Sequence, residues 1–229
     1  MTSSPEYGET WVYESLVGTV PGLNVSARMA VGIQFVGFEA AILVVAAIYD
    51  LPAAVLPGTV AVIVATIGSW LMVQFSRSVR ELPTPEPYRR LLFGSSIDVV
   101  LGVFAFITLV TYLFVADPGW SEQPLVTDLF GTEPPVVAIW LALLVLWDVV
   151  YRIGTCWWAS LVGLWRALVY EFDPEVTRRY RRADTINVGF AMVQLLLVPF
   201  VIGYPLLLAT LSGHVVAVVT VTALSRQLQ

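Results

Sequence analysis

VVAIWLALLVLWDVVYRIGTCWWASLVGLWRALVYEF, residues 136–172, decides how this chain is read. It is apolar over nearly its whole length, yet Asp148 and Arg152 stand inside it. About 20 helical residues cross the hydrocarbon core of a bilayer, so the segment is too long for one ordinary span. It also lacks a turn that would divide it into two. The expected arrangement is a span over about 136–156 with an extension to 172, and Gly154-Thr155-Cys156 marks where a bend would fall. Trp157, Trp158, Trp165 and Arg166 suit an extension at headgroup depth, where aromatic and arginine side chains concentrate. The alternative turns 157–170 back into the membrane as a re-entrant hairpin or a seventh crossing.

The composition agrees with a membrane setting. Apolar residues make up 58% of the 229, charged residues 13%, and the mean hydropathy is +0.80. Soluble domains run nearer about 45–50% apolar and about 25% charged. Outward from the central stretch, further apolar runs predict spans at about 29–49, 58–75, 91–116, 186–202 and 206–225. The last two come from one long stretch, broken at Gly203-Tyr204-Pro205, with Pro199 as a kink. The expected fold is all-α: a six-span polytopic bundle over 29–226 with a long fourth helix. Residues 1–28 are expected to remain in the mature chain as an amphipathic segment on the membrane surface, with Trp11, Val12, Leu16 and Val20 on one face. Ala61, Ala65 and Ser69 repeat at a spacing that lets a neighbouring helix approach closely.

Between the spans, the charges segregate. The 76–90 connector holds Arg77, Arg80, Arg89 and Arg90 around Leu82-Pro83-Thr84-Pro85-Glu86-Pro87, whose prolines favour a stiff extended strut. Asp173-Pro174-Glu175 is a helix start signal, a capping carboxylate with proline in the first turn. The short helix it opens bears Arg178, Arg179, Arg181 and Arg182, expected to contact anionic lipid headgroups. The alternate loops, 50–57, 117–135 and 203–205, carry no arginine. That asymmetry predicts a cell-membrane protein with both termini cytoplasmic.

All twelve basic residues are arginine, and the net charge is −5. This lysine-free, acidic style, together with the opening Pro5-Glu6-Tyr7-Gly8-Glu9-Thr10-Trp11-Val12-Tyr13-Glu14, resembles an uncharacterised haloarchaeal multi-pass membrane protein family. The resemblance implies no activity. The missing lysine excludes a retinal Schiff base, and the single cysteine, Cys156, excludes intramolecular disulfides and thiolate metal clusters. One histidine cannot build a polyhistidine metal site. There is no HExxH, no P-loop, no dinucleotide glycine motif and no GxSxG elbow, which disfavours an intramembrane enzyme. No cofactor and no nucleic acid are implied.

Charged groups within hydrocarbon are costly and usually face the protein interior for a reason. Here they are Glu39, Asp98, Asp148 and Arg152, with His214 as a titratable addition. Asp148 and Arg152, at i and i+4, can pair on one helix. The pair either neutralises itself for insertion or holds an anion. Asp98, between Gly94 and Gly102 on one stripe, points either to close helix packing with a cap on Arg152 or to a cation site. Glu39 has no base on its span beyond Arg28, the character of a proton-carrying carboxylate, and with His214 at similar depth it would form a relay. Two functions follow. One is a small transporter or channel-like protein that moves a proton, cation or small solute through these five groups. The other is a non-transporting scaffold or accessory subunit in which they only lock helices, with a second copy or a membrane partner docking at Pro83–Pro87 or Arg178–Arg182. A wet cavity around the five favours transport; dry, paired groups favour the scaffold.

Overall fold

The structure is a computed structural model that describes residues 26–229. Up to residue 25, the interfacial segment expected over 1–28 therefore lies outside the described residues. The described residues are helical and contain no strand. Six helices are each long and apolar enough to cross a membrane, so the chain is built as a multi-pass membrane protein with the expected all-α architecture. In hydrocarbon the backbone must satisfy its own polar groups, which an unbroken helix does.

Span 1 is Ala27–Tyr49. The Ser26 hydroxyl accepts from the Met29 amide at 3.2 Å to start it, and Asp50, in the left-handed region at φ 52°, ends it. Pro52 opens span 2, Pro52–Arg80, which at 29 residues is longer than the expected 58–75. Pro57 stands inside the helix, in its second turn, where it cannot supply the N–H that would bond the Ala53 carbonyl.

The 81–85 connector is a tight corner, not a strut. Leu82 is buried there, and the Thr84 hydroxyl donates back to the Val79 carbonyl at 2.8 Å. Pro87 belongs to the helix that follows, Glu86–Phe93. After a break at 94–96, span 3 resumes as Ile97–Thr111, passes through a π turn at Tyr112–Ala116 and ends at Trp120. A six-residue helix, Leu125–Phe130, sits in the connection to span 4.

Span 4, Val136–Val169, is continuous through Gly154-Thr155-Cys156. There is neither a bend into a hairpin nor a seventh crossing. Its 34 residues extend for about 51 Å at about 1.5 Å per residue, well beyond the roughly 30 Å of hydrocarbon. Span 5 begins at Pro174, not 186: the arginine-bearing helix continues to Val193, then tightens to a 3-10 turn at Gln194–Leu197 and ends at Val198–Val201. The tightened turn lies just before Pro199, which has no N–H to donate to the preceding turn. Asp173 precedes this helix without a side-chain cap; its carbonyl accepts from the Thr177 amide at 2.9 Å. Span 6 is Pro205–Gln227.

The excess length of spans 4 and 5, with the last turn of span 2, lies at one end, the end that carries the arginines. There Phe75, Val79, Tyr88, Leu92, Val162 and Tyr180 bury one another in the largest core cluster. Fully burying side chains of this size is worth about 1.5–3 kcal/mol each relative to exposure in water. Around the spans, Ile33, Phe104, Ile107, Val115 and Val216 remain exposed, as lipid-facing positions do.

Candidate functional site

The polar side chains expected to converge are separated into distinct sites. On span 4 the Arg152 guanidinium, 1% exposed, grips Asp148 twice, Nη2 to Oδ1 at 2.7 Å and Nε to Oδ2 at 3.2 Å. The i,i+4 spacing produced this pair, as expected. Neighbouring spans complete it. Gln34 of span 1 donates to Asp148 Oδ2 at 2.8 Å, and Ser69 of span 2 donates to Gln34 Oε1 at 2.9 Å. Arg152 Nη1 also points at the Met72 sulfur at 3.7 Å. Among the described residues, three helices thus share one part-buried network, and the Ser69 stripe serves both close packing and hydrogen bonding.

Asp98 does not cap Arg152. It is buried and accepts from the Tyr151 hydroxyl at 3.2 Å. Span 3 lies so close to span 4 at this level that a Cβ on Gly154 would fall 2.7 Å from the Gly102 nitrogen and 2.9 Å from the Asp98 carbonyl oxygen. Gly102 marks a helix crossing, while Gly94 falls in the break before Ile97 and is not on the same helix.

Glu39 accepts from the Thr59 hydroxyl at 2.8 Å through Oε1, while Oε2 is buried without a hydrogen-bond partner. His214, 6% exposed, has neither ring nitrogen partnered and lies with its ring 5.9 Å from that of Trp157. No hydrogen bond joins Glu39 to His214, so the expected relay is not assembled. Gln194, fully buried, likewise leaves both side-chain polar atoms without a partner.

The best-built polar site was not foreseen. Asp148–Arg152 is not the only internal ion pair: Arg166, which sequence reasoning placed among headgroups, is 0% exposed. Its Nη2 donates to Asp184 Oδ2 at 2.7 Å and its Nη1 to the Tyr88 hydroxyl at 3.1 Å. The Tyr180 ring stacks on the guanidinium, its centroid 4.2 Å away, and the Tyr88 ring lies at 5.5 Å. The Gln229 carboxamide oxygen, in the orientation that satisfies it, accepts from Nη2 at 2.8 Å. Helical periodicity held the missed signal. Tyr180, Asp184, Asn187 and Ala191 fall at i, i+4, i+7 and i+11, a buried stripe opposite the arginines. Asn187 uses it to donate to the Cys156 carbonyl at 3.1 Å and the Ser160 hydroxyl at 2.9 Å.

Arg178, Arg179, Arg181 and Arg182 are all exposed. Arg179 approaches Glu81 at 3.9 Å. Arg181 and Arg182 line a surface concavity with Thr185 and Arg226. Arg181 and Arg226 each donate to the other's backbone carbonyl, at 2.9 and 3.1 Å. That crossing ties span 5 to span 6 and leaves cationic surface with no acid among the described residues of the concavity. Among the described residues no three His, Cys, Asp or Glu side chains gather as a metal set.

A sequence family described as a family of unknown function (DUF7530) matches residues 6–225. The chain belongs to this family. No curated protein and no solved structure matches it. Membership in DUF7530 therefore covers almost the entire chain, including both internal ion pairs but not Arg226 or Gln229, and brings no activity with it.

Proposed function

We propose that this DUF7530 protein is a non-transporting membrane scaffold or accessory subunit, whose intramembrane polar groups fix helix positions. One observation carries the reading. Asp148, Arg152 and Asp98 are each bonded to protein side chains, and of the five groups expected to form a solute path only His214 lines the mostly apolar cavity of the bundle. A path for ions needs groups free to exchange partners along a wet route. Asp148, Arg152 and Asp98 are instead held by protein partners on the same or neighbouring helices.

The arginines at one end seat the protein against anionic headgroups, with Arg181, Arg182 and Arg226 as the contact. The eleven arginines other than Arg152 belong to that end, which favours a cell-membrane protein with both termini cytoplasmic. The lysine-free, acidic composition favours a salt-loving source. Such a setting shortens electrostatic reach to about 3 Å at 1 M salt, so contact pairs, not long-range attraction, would hold the headgroups.

The deciding experiment measures proton and cation flux in liposomes, wild type against Glu39→Gln. The scaffold reading expects both to match protein-free vesicles under every gradient. Flux in wild type that Glu39→Gln abolishes, with the variant as stable as wild type, would overturn it. For the headgroup contact, thermal stability in nanodiscs should rise with anionic lipid, and replacing Arg181, Arg182 and Arg226 by Gln should erase that rise.

A further inference from the structure

In the half of the bundle away from the arginines lies a cavity of about 330 Å³. Spans 1 to 4, the end of span 5, span 6 and the helix Leu125–Phe130 all contribute to its wall, through side chains such as Leu109, Leu125, Val145, Leu197 and Leu211. Among the described residues, two polar side chains line it, Thr210 and His214. The Thr210 hydroxyl is already engaged, donating to the Leu206 carbonyl at 2.7 Å. The His214 imidazole is not: both nitrogens are buried without a partner. A buried donor and acceptor left unmade are costly, and native interiors rarely retain them.

We propose that this cavity binds an uncharged lipophilic molecule, an acyl or prenyl chain bearing one hydroxyl or carbonyl oxygen, with that oxygen hydrogen-bonded to His214. The chemistry excludes the neighbouring choices. A charged headgroup would meet no counter-charge, since no charged residue among those described lines the wall. A plain hydrocarbon would leave the imidazole as it is. A lone water needs about 2–4 polar partners, and among the described lining side chains His214 alone is free. The volume lies at the lower end of the roughly 300–1,000 Å³ typical of ligand pockets, and an apolar wall with one placed polar group is how such pockets are built. The proposal stands apart from the scaffold reading, because it concerns a site that reading does not use.

Three photoactivatable probes of equal length test it on the full chain in phosphatidylcholine nanodiscs: a diazirine-bearing hexadecanol, the matching methyl ketone and the matching alkane. Crosslinks are then mapped by mass spectrometry. The oxygenated probes are expected to label residues 138–153 or 197–214 saturably, about tenfold above the alkane, the scale of one added hydrogen bond. The stronger of the alcohol and the ketone identifies the oxygen recognised. His214→Phe should bring both down to the alkane level, and Leu211→Trp, which fills the cavity, should remove labelling there by all three. Equal labelling by alkane and oxygenated probes would overturn the proposal, as would unchanged labelling in His214→Phe. So would crosslinks confined to lipid-facing residues such as Phe104 and Val216. If either variant fails to fold, the three-probe comparison on wild type still decides.

Discussion

Asp184 accepts from a guanidinium that has no route to water, so its charge cannot be removed without leaving Arg166 unpaired in a closed cage of tyrosine rings. Breaking a buried pair from one side costs about 3–5 kcal/mol, whereas replacing both partners by apolar groups is often near neutral. Asp184→Asn should therefore lower stability by about 3–5 kcal/mol in detergent-induced unfolding. Arg166→Met combined with Asp184→Leu should lose much less than the two single losses added; strict additivity would mean the pair is not coupled. Sequence reading found Asp148–Arg152 because one helix brings residues four apart together. It missed Arg166–Asp184 because that contact crosses between helices and because tryptophans around an arginine resemble a headgroup belt. Gln34 and Ser69, which complete the first pair from two other spans, were legible only as polar or small residues in apolar runs.

Where spans 3 and 4 cross, backbone meets backbone. Gly154→Ala would drive a methyl into the Gly102 nitrogen and the Asp98 carbonyl, atoms that cannot turn aside. The expected cost is about 1–3 kcal/mol, and the Tyr151–Asp98 bond should loosen with it. Gly163→Ala, on the same helix, meets nothing nearer than 3.6 Å and should be neutral or gain up to about 1 kcal/mol from helix propensity. Thermal melts of the two variants that coincide would refute the close crossing. At this scale, span number and the unusual length of span 4 were readable from hydropathy. The start of span 5 was not, because four exposed arginines hid a face of Tyr180, Ala183, Asp184 and Asn187 that continues the buried stripe outward.

Across the whole molecule, the five polar residues grouped by depth do not form one core. Depth follows from residue count, but the direction each side chain faces depends on helix rotation, which hydropathy does not encode. The proposed orientation is open to a direct check, because Cys156 is the only cysteine and is buried. Under a membrane-impermeant maleimide, Glu133→Cys should label on intact cells and Arg178→Cys only after lysis. Label on both in intact cells would refute the six-span arrangement. The unbroken run of span 4 also makes it a lever. Its fulcrum is the Gly102–Gly154 crossing, with about 27 Å of helix on the cavity side and about 18 Å between the crossing and Arg166. A sideways push of about 1.5 Å at the cavity end of a rigid rod of these proportions swings Arg166 by about 1 Å in the opposite sense. A clasp closed at 2.7 Å has no slack of that size, so a displacement at one membrane face would reach the other as strain on the Arg166–Asp184 pair.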